Sequence, residues 1–253
     1  MEKPDSTLRG SIIERLFYKS IKLFPYFLIS KIGFFGTFFN PDLKYYYSIN
    51  KRREPVFSDI VQYISYNRIE GDYLEFGCHS GWGLYIFHKL IKRRKLEQMR
   101  LFAFDSFEGF PEVTGTDSYL NYKKGMLAYS YKDFQIVQKV NRMNDVIPIK
   151  GFFESVLTDE LINQHEMKYA AIVFIDCDLY SSTKTVLEFI KNMLQTGTIV
   201  IFDDYWLFRG DKNRGEQKAL LEFQKKWPNI QFREFSYPYS AHSKIFLINI
   251  IEE

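Results

Sequence analysis

Cysteine is scarce in this chain. Cys78 and Cys177 supply neither a disulfide framework nor a four-ligand zinc site, and a reduced, cytoplasmic compartment is the expected setting. Histidine is scarce too: His79, His88, His165 and His242 include no pair at metal-ligand spacing. Charge of one sign is also lacking. The formal net charge is +3, with acids and bases mixed along the chain, which argues against a nucleic-acid binder with its concentrated basic face. No Pro-, Gly- or Ser-rich linker divides the 253 residues, so one large domain is expected rather than two equal ones.

Long hydrophobic runs are missing as well. Residues 1–10 are polar, without the apolar core of a signal peptide. Further on, Lys22, Pro25 and Lys31 cut the aromatic stretch at 21–41 into pieces well short of the roughly 20 apolar residues of a spanning helix. Residues 11–23 alternate apolar and basic side chains in an amphipathic pattern. This N-terminal extension, residues 1–50, is expected to be helical. It should pack on the main domain or on a second copy in a homodimer, with peripheral contact to a membrane surface as the alternative. Residues 51–253 form the expected main domain.

Aromatics are abundant, at 18% of residues, and supply ample apolar area for a core. The pattern predicts a helix over Pro55–Arg68, where Val56, Phe57, Ile60, Val61 and Ile64 recur at helical spacing. "GDYLEFGCHSGWG" then reads as turn, strand and glycine loop, and "GLYIFHKLIKRR" as a helix. "LFAF", "VIPI", "AAIVFI" and "TIVIF" are further strands. "ESVLTDELINQ" and "EQKALLEFQKKW" are helices between them. "SSTKTVLEFIKNML" is a helix opened by serine N-caps. "IQFREF" and "KIFLINI" close the chain with too little between them for a crossover. The expected fold is α/β: a Rossmann-like, seven-stranded, mostly parallel sheet with an antiparallel C-terminal hairpin and helices on both faces.

Ligands of such sheets bind at the carboxyl ends of the strands. Asp105, Asp176, Asp178, Asp203 and Asp204 all stand where a predicted strand ends, so one crevice can collect them. The glycines at 77, 81 and 83 only loosely fit the dinucleotide pattern. Glu75 beside them disfavours pyrophosphate and suits a cationic or hydroxyl-bearing ligand. Asp105, about 20 residues past the loop, is placed for ribose hydroxyls. Asp176 and Asp178, two apart, project to one side if the strand persists. Carboxylates that close repel unless a proton or a cation lies between them. Hard oxygen ligands suit Mg²⁺, Mn²⁺ or Ca²⁺. The segment "TGTDSYLNYKKGMLAYS" is a candidate lid.

Taken together, "YLEFGCHSGWG", "AFDSFEGFPE", "KGFFES", "FIDCDLYSST" and "VIFDDYW" resemble, in order and spacing, the macrocin O-methyltransferase-like family over about residues 70–206. These are Mg²⁺- and S-adenosylmethionine-dependent sugar O-methyltransferases. The resemblance implies that Glu75, Phe76, Gly77 and Ser80 line the methionine side of the cofactor. It implies that Asp105 and Ser106 hold the ribose, and that Gly151 and Phe152 border the adenine. Asp176, which also borders the cofactor, Asp203 and Asp204 would hold Mg²⁺ or Mn²⁺. Asp178 would be the general base, although the split of base and ligand between Asp176 and Asp178 stays open. The family commonly has glycine where Cys177 stands. The implied acceptor is a sugar hydroxyl of a bacterial glycan or secondary metabolite, with a catechol-like diol as a second option. Two rivals remain: a D-x-D glycosyltransferase or phosphotransferase, and a non-catalytic binding protein on the same scaffold.

Overall fold

The computed structural model describes residues 41–118 and 121–251. The first helix, α1 (Pro41–Asn67), begins well before the expected start at Pro55. Pro41, not Pro55, occupies the first turn, where a missing N–H costs nothing. Pro55 lies inside the helix, which continues because Val56, Phe57, Ile60, Val61 and Ile64 are all buried behind it. The expected boundary at 50/51 therefore falls within a continuous helix. The rest of the expected extension, with its second-copy or membrane contact, lies outside the described residues.

The chain continues as β1 (Asp72–Phe76), α2 (Trp82–Arg93), β2 (Leu101–Asp105), α3 (Tyr131–Val140), β3 (Val146–Lys150), α4 (Phe153–Val156) and α5 (Asp159–His165). Then follow β4 (Ala170–Ile175), α6 (Tyr180–Ile190), β5 (Ile199–Phe202), α7 (Gly215–Lys226), β6 (Ile230–Glu234) and β7 (Lys244–Ile250). The helix expected over "ESVLTDELINQ" is two short ones, α4 and α5. They are separated because Thr158 caps α5, accepting the Leu161 N–H at 3.3 Å. The serines expected to cap α6 lie in its first turn instead, and Leu179 is the N-cap.

The seven strands form one sheet in the order β3-β2-β1-β4-β5-β7-β6. All neighbours are parallel except β5–β7 and β6–β7. Pro148 is tolerated because β3 is an edge strand. Side chains alternate along the strands into two cores. Tyr73, Ala103, Ile172, Phe174 and Ile201 meet α1, α2 and α3 on one face. Leu74, Phe76, Phe104, Val173, Ile175 and Phe202 meet α4–α7 on the other. Strand order reverses between β1 and β4, and the crevice opens at their carboxyl ends. Among the described residues no helix is long and apolar enough to cross a membrane.

Candidate functional site

One cleft lies over the strand tips. It is lined by Glu75, Gly77 and Ser80 after β1, Asp105 and Ser106 after β2, Gly151 and Phe152 after β3, Asp176 and Asp178 after β4, and Asp203 after β5. Phe76 is the exception among the expected cofactor residues. Strand alternation turns it away from Glu75, and it stacks on Phe104 in the second core with ring centroids 4.5 Å apart.

The seam between β1 and β4 is tight. A Cβ on Gly77, whose φ is 89°, would stand 2.0 Å from the Asp176 carbonyl oxygen. Only glycine fits both that angle and that contact. Glu75 is buried and accepts a hydrogen bond from the Tyr73 hydroxyl. Burial pushes its carboxyl up to about 8, against the opposing Tyr73 bond.

Asp105 is held by the backbone. Its two oxygens accept the N–H groups of His79 at 2.7 Å and Phe107 at 2.6 Å. Burial raises its pKa, and these two bonds offset part of the rise. Ser106 builds the adjoining turn: its hydroxyl donates to the Gly109 carbonyl and accepts the Glu108 N–H.

The β4 and β5 tips differ from the expectation in detail. Strand β4 stops at Ile175, so alternation does not align Asp176 with Asp178. A left-handed turn at Asp178, φ 59°, does so instead, a conformation Asp tolerates better than most residues. Cys177 points into the second core, its Sγ 3.4 Å from the Thr183 hydroxyl. Asp176, Asp178 and Asp204 each bring a carboxylate oxygen within 4.8 Å of the others. Asp203, expected among the ligands, is engaged elsewhere. It accepts from Arg53 Nη2 at 2.8 Å and from the Tyr239 hydroxyl. Arg53 also reaches Asp176 at 3.5 Å. Burial opposes the guanidinium charge, but Asp203, Tyr239 and Asp176 outweigh it and raise its pKa.

Three carboxylates without thiolate or imidazole form a hard oxygen donor set, the kind Mg²⁺ and Mn²⁺ take. Asp178 and Asp204 are buried, and like charges held this close favour a proton or a cation between them. The residues fit the ion.

The described parts of the candidate lid touch this site. Asp117 caps α6 from a distance, accepting the N–H groups of Tyr180 at 2.7 Å and Ser181 at 3.2 Å. Helix α6 begins directly after the Asp178 turn. Tyr122 donates its hydroxyl to Asp178 at 3.0 Å. Arg214 donates to the Thr116 carbonyl at 3.1 Å. Sequence reading missed Arg53, Asp117, Tyr122 and Tyr239. Arg53 left a signal: it stands on the same helical stripe as the buried Ile49, Val56 and Ile60.

A family model described as Macrocin-O-methyltransferase (TylF) matches residues 40–225. A protein of Streptomyces olivaceus named as 8-demethyl-8-(2,3-dimethoxy-alpha-L-rhamnosyl)-tetracenomycin-C 4'-O-methyltransferase is 27% identical over 154 residues, 57% of this chain and 57% of its own. Demethyldecarbamoylnovobiocin O-methyltransferase of Streptomyces niveus is 26% identical over 153 residues, 56% of this chain and 55% of its own. The matched part is thus little more than half the length of these curated relatives. The solved O-methyltransferase NovP superposes with a TM-score of 0.62 at 20% identity, covering 78% of this chain and 79% of its own. The calicheamicin methyltransferase CalS11 gives 0.62 at 20%, with 77% of each chain covered. These two show the shared fold.

Proposed function

The chain belongs to the macrocin-O-methyltransferase family, and from that premise we propose that it moves a methyl group from S-adenosylmethionine to a sugar hydroxyl, assisted by Mg²⁺ or Mn²⁺. The observation that carries this reading is the convergence of Asp176, Asp178 and Asp204 beside the cleft lined by Glu75, Gly77 and Asp105. A rhamnosyl group appears in the name of the S. olivaceus relative, which supports a sugar acceptor on a glycan or secondary metabolite. Two free, buried thiols support a reducing, cytoplasmic setting.

In this reading Glu75, Gly77 and Ser80 face the methionine end of the donor. Asp105 and Ser106 bind the ribose hydroxyls, and Gly151 and Phe152 border the adenine. Asp176 and Asp204 would hold the cation, with Asp178 beside them and Asp203 kept in place behind them by Arg53 and Tyr239. When bound, the cation lowers the proton affinity of the acceptor hydroxyl and orients it. Asp178 takes the proton. The bond from acceptor oxygen to methyl carbon forms as the carbon–sulfur bond breaks in line, and the donor leaves as a neutral thioether. Holding the two reactants in contact removes much of the entropic barrier. Tyr122 supports the role of Asp178, because its phenol shows that a hydroxyl reaches this carboxylate at hydrogen-bonding distance.

The test is transfer of labelled methyl from S-adenosylmethionine to a panel of sugars and catechols, with Mg²⁺ or with EDTA. Sugar methylation that EDTA abolishes is expected. Asp178→Asn should lose about 10²–10⁴-fold in turnover while binding the donor as the wild type does. Methylation of catechols alone would remove the sugar assignment, and near-full activity of Asp178→Asn would remove the base.

A further inference from the structure

The cleft is poor in basic side chains. Glu75, Asp105, Glu154, Asp176, Asp178 and Asp203 all line it, and Arg53 is the one lysine or arginine among its described lining residues. S-adenosylmethionine, read above as the donor, carries a carboxylate at its methionine end besides its ammonium and sulfonium groups. A carboxylate that leaves water for such a cleft needs hydrogen-bond donors there, and a charged donor serves it best.

Arg53 stands at that end of the cleft. Its guanidinium carbon is 5.4 Å from the centre of the Phe174 ring and 5.2 Å from that of Tyr239. Phe174 on β4 is the register partner of Glu75 on β1. A Cβ on Gly83, in the first turn of α2, would stand 2.8 Å from the Phe174 ring and 3.1 Å from Glu75 Oε1. The guanidinium, Glu75 and the start of α2 thus meet around one ring. Nη2 fixes the guanidinium by donating to Asp203 at 2.8 Å and reaching Asp176 at 3.5 Å. Nε is buried without a partner. Nη1 makes no hydrogen bond among the described residues. Pairing with Asp203 needs one nitrogen, which a lysine would supply, whereas the planar fork of arginine offers further donors in fixed directions.

We propose that Arg53 binds the carboxylate at the amino-acid end of the donor through Nη1, while Nη2 stays on Asp203. This inference rests on the donor reading above and gives Arg53 a ligand as well as a structural partner.

Calorimetric titration of the full chain in EDTA tests it by comparing S-adenosylmethionine with decarboxylated S-adenosylmethionine, which lacks only that carboxylate. Wild type should bind the decarboxylated donor about 10–100-fold more weakly, the range for a hydrogen bond to a charged group. Arg53→Met should bind the parent donor more weakly by a similar factor, which closes the gap between the two. Arg53→Lys keeps a charge but not the fork, and should leave a smaller gap than wild type. A wild type that binds both donors equally well overturns the inference alone. So does an Arg53→Met chain that keeps the full gap, which would put the carboxylate on the backbone N–H groups at the start of α2. Should Arg53→Met not fold, an undiminished gap in Arg53→Lys overturns it. A wild type that binds neither donor overturns both this inference and the donor reading.

Discussion

The two halves of the cleft treat their acids differently. On the β2 side, Asp105 has a backbone N–H for each oxygen, and Ser106 completes its own turn. On the β4–β5 side, Asp176, Asp178, Asp203 and Asp204 crowd together, with Glu216 behind them. Arg53 pairs with Asp203 and Asp176 of this group. The first half is finished by the chain itself. In the second, Asp176, Asp178 and Asp204 bring carboxylate oxygens within 4.8 Å of one another. A carboxylate with a backbone donor on each oxygen is held by the fold itself, whereas carboxylates gathered this closely favour a proton or a cation between them.

This contrast is sharpest at Arg53. Arg53→Met strands Asp203 and Asp176 without their guanidinium, and breaking a buried pair costs about 3–5 kcal/mol. Urea unfolding at pH 8 should show that loss in EDTA and a smaller one in Mg²⁺. Equal losses in both would mean that the two acids are not electrostatically linked to a cation.

Glu75, at the border of the halves, should show itself through pH. Its carboxyl titrates near 8 in the fold against an ordinary value of 4.5. The folded chain then holds a proton that the unfolded chain has released. Stability should fall as pH rises from about 4.5 to about 8, by at most about 1.4 kcal/mol per pH unit. Glu75→Gln should flatten that slope in thermal melts between pH 5 and 9. An unchanged slope would place the titration elsewhere.

Asp105→Asn should have the smallest effect and should break the comparison if it does not. The amide nitrogen of Asn would face one of the two backbone donors, which sit on different oxygens, and an unmet buried N–H costs about 1–3 kcal/mol. Unlike the Arg53 variant, this loss should be the same in Mg²⁺ and in EDTA. A loss that depended on the metal would join Asp105 to the acidic half.

Much of the site was legible because its signals are local. Each strand run ends in turn residues, so Asp105, Asp176 and Asp203 could be placed at strand tips, and the parallel topology brought those tips to one edge. What was missed falls into two groups. Arg53 and Glu216 are charged residues on otherwise apolar helical stripes, 49-53-56-60 and 216-219-220-223. That pattern is readable, since a charge on a buried stripe calls for a buried partner. Asp117, Tyr122 and Tyr239 reach the site from loops, and nothing in their neighbours' spacing records a contact made only by the folded chain. The Asp178 turn belongs with them: two acids one residue apart suggested a continuing strand, and the backbone reversed hand instead.

The glycine at 77 settles which dimensions of this cleft evolution can adjust. Main chain meets main chain there, so the β1 and β4 sides of the cleft are joined as by a rivet, with no side chain between them to lengthen or shorten. On the proposed reading, the reach from methyl carbon to attacking oxygen is in that sense a property of the scaffold. New acceptors must be accommodated at the rim, where residues can change size without prising the rivet apart.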